Sequence, residues 1–155
     1  MASTTKPTIL FVHGSWHTPA HFAPVRAVFE KAGYPTSCQL FPSVEASPPI
    51  GLKEDAQCVK DELSRLIEAG RKDVIVVAHS YGGVVSTEAC EKQFNLQERR
   101  KKGEKGGIVR IVYLCAFLIP VGKTLEQALG GTMPPWIPED VSNPRNSSTT
   151  TQGLI

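Results

Sequence analysis

The chain has 155 residues, of which 41% are hydrophobic and 21% charged, and its formal net charge is +2. That length suits one domain with its own core, and so small a charge excludes the broad basic surface that nucleic acid or an anionic membrane would require. The N-terminus, MASTTKPTILFVH, lacks the apolar stretch of a signal peptide, and the longest apolar run, IVYLCAFLIP, falls well short of the ~20 residues that span a bilayer. A soluble, cytoplasmic protein with neither nucleic-acid nor membrane partners is the expectation.

TILFVH, at 8–13, is almost continuously apolar and lies between Pro7 and Gly14, as a strand buried on both faces does. PVRAVFEKAG follows with helical spacing, Val25, Val28 and Phe29 on one face and Gly33 as its stop. PTSCQLF, at 35–41, reads as a second, weaker strand. After the loop PSVEASPP, the residues Leu52, Ala56, Val59, Leu63, Leu66 and Ile67 mark an amphipathic helix that Gly70 ends. DVIVVA, at 73–78, is the most strand-like run, and GVVSTEACEKQF after it is helical. A polar loop at 95–107, whose ERRKKGEK is read as a solvated segment, leads to a fourth strand at 108–118. Strand and helix alternating in this way predict an α/β protein, a mostly parallel sheet in a three-layer α/β/α sandwich. Beyond Pro120, TLEQALGG suits a short helix, MPPWIPEDVSNP is too rich in proline for regular structure, and RNSSTTTQGLI has the composition of a disordered tail.

The cysteines at 38, 58, 90 and 115 form no C-x-x-C pair and lie in apolar or helical patterns, so buried free thiols are expected rather than disulfides or a metal site. HGSWHT after the first strand has neither the G-x-G-x-x-G fingerprint nor a P-loop, which argues against a nucleotide site.

In an open α/β sheet, ligands gather at the carboxyl ends of the strands. One such end carries AHSYGG: a strand, then small-x-Ser-x-Gly, then a helix, the pattern of a nucleophile elbow. Ser80 would sit on a strained turn with its hydroxyl above the sheet. Ala78 and Gly82 would be small enough for the tight turn, and Gly83 would let the helix pack closely. The plainer alternative is that Ser80 only caps the helix that follows. The neighbouring strand end carries His13-Gly14-Ser15-Trp16-His17. A His-Gly turn there can present a backbone amide to an oxyanion, making the amides of Ser15 and Tyr81 the expected donors. Gly14, Trp16 and His17 are the candidate pocket residues.

The segments FVHGSWHTPAHFAPV, AHSYGG and GGIVRIVYLCAFLIPVGKTLEQALGG, the last followed by PPWI, resemble the α/β-hydrolase superfamily from residue 7 to about 140. The likeness is nearest to small fungal and bacterial AB-hydrolase proteins related to plant methylesterases and hydroxynitrile lyases. It implies the N-terminal portion of an α/β-hydrolase fold, with residues 1–140 a partial domain and 141–155 a disordered tail. It further implies Ser80 as nucleophile, an ester or related small carbonyl substrate, and no cofactor.

The triad of that fold runs Ser, acid, His along the chain. The histidines here are His13, His17, His21 and His79, and none follows Ser80. Members of the superfamily are longer, so the chain looks C-terminally truncated, lacking two strands, a cap, the acid and the base. His79 would be turned away from Ser80 by the elbow, His17 could reach the cleft, and Glu45 lies near the strand ends. Without a base the serine remains a weak nucleophile, which leaves open a catalytically impaired relative that binds a small ligand or a protein partner. The fourth strand would become a bare sheet edge, inviting a partner, dimerisation or poor solubility. The segment Met133 to Ile137 could fold over the site.

Overall fold

A computed structural model describes residues 6–47, 49–120 and 122–131. Its four strands are β1 (Thr8–Val12), β2 (Thr36–Cys38), β3 (Asp73–His79) and β4 (Gly107–Leu114). All pair in parallel, in the order β2-β1-β3-β4. The helices are α1 (Ala23–Lys31), α2 (Leu52–Leu63), α3 (Gly82–Ala89), α4 (Leu96–Lys101) and α5 (Leu125–Ala128). A single 3-10 turn, Pro19–Phe22, runs into α1, and α2 continues as a wider π-helical stretch over Ser64–Ala69.

Side chains alternate across a strand, and β1 uses both faces. Leu10 and Val12 pack with Val74 and Val76 under α2 and α3, together with Val59, Leu63, Ile67, Val85 and Phe94. On the other face Ile9 and Phe11 pack with Phe22, Phe29, Ile75 and Val77 beneath α1. The result is the expected helix/sheet/helix layering, with every residue of β1 buried. The chain moves from β1 to one side for β2, then to the other for β3. The order of strands therefore reverses at β1, and the crevice at the carboxyl ends of β1 and β3 is the switch point where such sheets hold ligands.

Several expectations need correction. The second strand is three residues rather than seven, and the fourth ends at Leu114. Helix α3 stops at Ala89, with a 3-10 turn over Lys92–Phe94 after it. The polar segment 95–107 contains α4, whose first turn is capped by the Asn95 side chain, accepting from the amides of Gln97 and Glu98 at 2.9 and 3.2 Å. Val25 and Val28 do not face the core, and Val28 is 67% exposed. Phe22 and Phe29 turn α1 toward the sheet instead, with ring centroids 5.3 and 5.8 Å from Phe11. Val28 precedes Phe29 by about 100° around the helix axis, which points it to solvent. Of the cysteines, Cys90 is buried, its thiol pushed up to about 12 by desolvation, whereas Cys115 is exposed. The expectations for 133–137 and for a tail at 141–155 lie outside the described residues. Among the described residues no helix is long and apolar enough to cross a membrane, and no cluster of three metal-ligating side chains occurs.

Candidate active site

Ser80 stands between the last residue of β3 and the first turn of α3, with φ of 53°. A left-handed conformation is costly for a residue with a Cβ, on the order of 1–3 kcal/mol, and persists only where the surroundings enforce it. Here they do. The Ser80 carbonyl accepts the amide of Gly83 at 2.9 Å from within the turn and that of Phe117 at 3.1 Å from the segment after β4. The capping alternative fails on geometry: the N-cap position of α3 belongs to Tyr81, and no side chain caps the helix.

The two glycines after the serine answer to neighbouring backbone. A Cβ on Gly82 would lie 2.2 Å from the Val12 carbonyl oxygen and 2.6 Å from that of His13. One on Gly83 would lie 2.3 Å from the Phe117 carbonyl oxygen. The start of α3 is thus wedged between the ends of β1 and β4. The sequence argument placed the constraint on Gly82 across the elbow itself, whereas the structure places it against β1.

The turn after β1 lies directly against the serine. A Cβ on Gly14 would sit 2.9 Å from the Cβ of Ser80. Gly14 opens a turn closed by the His17 amide donating to the Gly14 carbonyl at 3.2 Å, and Trp16 within it takes φ of 58°. Trp16 is exposed, while Ser15 and His17 are half-buried. His17 Nδ1–H donates to the Ser15 carbonyl at 2.8 Å. The His17 ring lies 4.8 Å from His21 and 5.4 Å from His79, and His79 also faces Phe22. His79 therefore points to the α1 side of the sheet. Glu45, also at positive φ, is exposed on the loop after β2.

A match to the alpha/beta hydrolase family model spans residues 9–151. The chain belongs to the alpha/beta hydrolase family. It is 31% identical over 137 residues to the alpha/beta hydrolase nvfD of Aspergillus novofumigatus, covering 88% of this chain and 52% of that one. It is 33% identical over 130 residues to the probable hydrolase R7 of a Phoma species, covering 82% and 49%. The chain thus spans about half the length of the curated relatives it matches. Among solved structures it superposes on an extracellular alpha/beta-hydrolase of a Paenibacillus species, reported to share structural and functional homology with tobacco salicylic acid binding protein 2. That match has a TM-score of 0.58 and 21% identity, and covers 78% of this chain and 45% of the other. A pyrethroid hydrolase of Sphingobium faniae gives 0.57 and 21%, covering 77% and 44%. Tomato methylketone synthase I, in complex with 2-tridecanone, gives 0.55 and 17%, covering 76% and 42%. At these identities the structural likeness establishes the fold.

Within this hydrolase fold the sequence reading named His13 only as part of the His-Gly turn, and it missed Asp55. His13 is fully buried, its ring 3.9 Å from that of Phe41. Its Nδ1–H donates to the Gly14 carbonyl at 2.9 Å and its Nε2 accepts the Phe41 amide at 3.4 Å. One proton satisfies both bonds, so the neutral ring fits, and burial accordingly holds its pKa below 6.5. Asp55, in the first turn of α2, is also fully buried. Its carboxylate accepts the Ser43 amide at 3.0 Å, the Ser43 hydroxyl at 2.6 Å and the Tyr81 hydroxyl at 3.0 Å. The signal was available: Asp55 and Glu62 both fall on the apolar stripe of α2, where a carboxylate is tolerated only if it is fully partnered. Burial raises the Glu62 pKa, but bonds from Arg65 and Ser37 more than offset this and hold it below the usual carboxylate value.

Proposed function

We propose that the protein is a serine hydrolase acting on a carboxylic ester or related small carbonyl compound, with Ser80 as its nucleophile. The observation that carries this reading is Ser80 at φ of 53° on the β3–α3 turn, packed against Gly14 at the switch point of the sheet. The Ser80 hydroxyl would attack the substrate carbonyl, forming a tetrahedral intermediate with its negative charge on the former carbonyl oxygen. The backbone amides of Ser15 and Tyr81 would donate to that oxygen, aided by the positive end of α3. Gly14, Trp16 and His17 would line the pocket. The curated relatives named as hydrolases support the reaction class. The family resemblance implies no cofactor, and a cytoplasmic setting belongs to the same reading.

The serine proton needs an acceptor. None of the histidines in the sequence follows Ser80, where the family order puts the base. For these 155 residues taken alone, a second reading is a catalytically impaired relative that binds a small carbonyl ligand or a protein partner.

Labelling with a fluorophosphonate probe separates the two. Stoichiometric labelling of folded protein, abolished by Ser80→Ala, is the outcome expected of the nucleophile. Folded protein that takes up no probe would reject catalysis by this chain and favour the binding role.

A further inference from the structure

Three segments converge on the proposed site: the turn after β1, the loop after β2 and the elbow after β3. Hydrogen bonds and aromatic contacts between buried or half-buried groups join all three. His13 bonds the Phe41 amide through Nε2, and Phe41 meets the Tyr81 ring edge-on at 6.2 Å. Two residues on, Ser43 gives both its amide and its hydroxyl to Asp55. The same carboxylate accepts the Tyr81 hydroxyl at 3.0 Å. The Tyr81 phenol is held protonated, its pKa raised by burial and then by the Asp55 charge, so it remains a donor.

Tyr81 is thereby fixed at both ends. Its backbone belongs to the elbow, where its carbonyl accepts the amides of Val84 and Val85 at 2.9 and 3.2 Å. Its side-chain tip is fastened to helix α2 through the Asp55 carboxylate. The peptide between Ser80 and Tyr81, whose N–H is the proposed oxyanion donor, joins the same Cα, and its carbonyl accepts the amides of Gly83 and Phe117 at 2.9 and 3.1 Å. We infer that Asp55 is a positioning residue for the oxyanion hole, its carboxylate clamping Tyr81, and with it the Ser80–Tyr81 peptide, to Ser43 on the loop after β2. This rests on the serine-hydrolase reading above. Asp55 touches no substrate; it acts through Tyr81. An oxyanion donor works by being aimed in advance, so a small loss of aim costs rate rather than affinity.

The choice of variants follows from how much each disturbs. Asp55→Ala would strand three half-buried donors and endanger the fold. Tyr81→Phe removes only the clamped hydroxyl and keeps the backbone amide. Asp55→Asn keeps the shape and removes the charge. Glu62→Gln serves as the control, being a buried carboxylate on the same helix that holds Ser37 and Arg65 instead of Tyr81. The experiment measures Ser80 phosphonylation by a fluorophosphonate across probe concentrations, separating the maximal rate from the half-saturating concentration. Each variant is first shown by circular dichroism and urea unfolding to be folded. The expected result is a roughly tenfold lower maximal rate for Tyr81→Phe and at least that for Asp55→Asn, with half-saturation within about twofold of wild type. Glu62→Gln should lower stability and leave the maximal rate unchanged. Wild-type labelling with an unaltered rate in folded Tyr81→Phe overturns the clamp alone. A rate lost equally in Glu62→Gln does the same, since it reduces the effect to loosening of α2. Absence of wild-type labelling removes the nucleophile, and the clamp's role falls with it.

Discussion

At Gly82 the constraint is one of space. A Cβ there would fall 2.2 Å from a β1 carbonyl oxygen, and backbone on both sides of the contact leaves nothing that can swing away. Gly103 presents the opposite case, with φ of 74° and nothing within 4 Å of its would-be Cβ. Its requirement is purely conformational, worth about 1 kcal/mol for an alanine. Gly82→Ala should therefore cost roughly 3 kcal/mol or more, at or beyond the top of the overpacking range, and Gly103→Ala about a third of that. Urea unfolding of the two variants gives the comparison. Equal losses would mean that α3 can retreat from β1, and the close approach that seats Ser80 beside Gly14 would then not be enforced. The elbow was legible in the sequence because its demands fall on consecutive residues. The network around Asp55 was not, because its members Ser43, Asp55 and Tyr81 lie on three separate elements, and only folding shows that they meet.

Among the elements, legibility followed burial. Strands β1 and β3 are central, β1 buried on both faces and β3 buried on one and half-buried on the other, so their sequences are apolar runs that announce themselves. β2 sits at an edge with a single neighbour, and three paired residues leave little pattern to read. The facing side of α1 was misjudged because it rests on two aromatic residues, one of them in the turn before the helix, while its valines face outward. Helix α4 was missed because LQERRK shows no apolar periodicity; capping and one buried guanidinium hold it instead. Arg99 Nε donates to the Gly106 carbonyl at 2.9 Å and its Nη1 pairs with Glu104 at 2.9 Å, which anchors the helix against the start of β4. A helix held in this way should be sensitive to its cap. Asn95→Ala is expected to lower stability by about 1 kcal/mol, the usual worth of an N-cap side chain, with amide exchange accelerating first at Gln97 and Glu98. Unchanged exchange at these amides would assign the helix start to Arg99 alone.

For the molecule as a whole, the decisive feature is β4. Among the described strands it pairs only with β3; Ile108 near its start bridges to Asn95, and the stretch from Val109 onward has no further strand partner among the described residues. Its register places Val112 and Leu114 beside Val77 and His79, on the face that α1 covers only over β1 and its neighbours. These two side chains are 39% and 49% exposed, and Val109 is exposed as well. Arg110 is the one charge along the strand, which is thin protection for an edge of this length. Two β4 strands related by a two-fold axis would run antiparallel, satisfy each other's backbone groups and bury both sets of valines in one continuous sheet. The purified chain should therefore self-associate with rising concentration, seen by sedimentation velocity as a shift from monomer toward dimer. Val112→Lys adds a charge to the edge that each copy would bring to the contact, and it should return the protein to monomer while changing its stability by no more than about 0.5 kcal/mol. A wild-type chain that stays monomeric at every concentration would show that the edge is not recognised by its own kind. Association that persists in Val112→Lys would move the contact to another surface, with the outward valines of α1 the next to test.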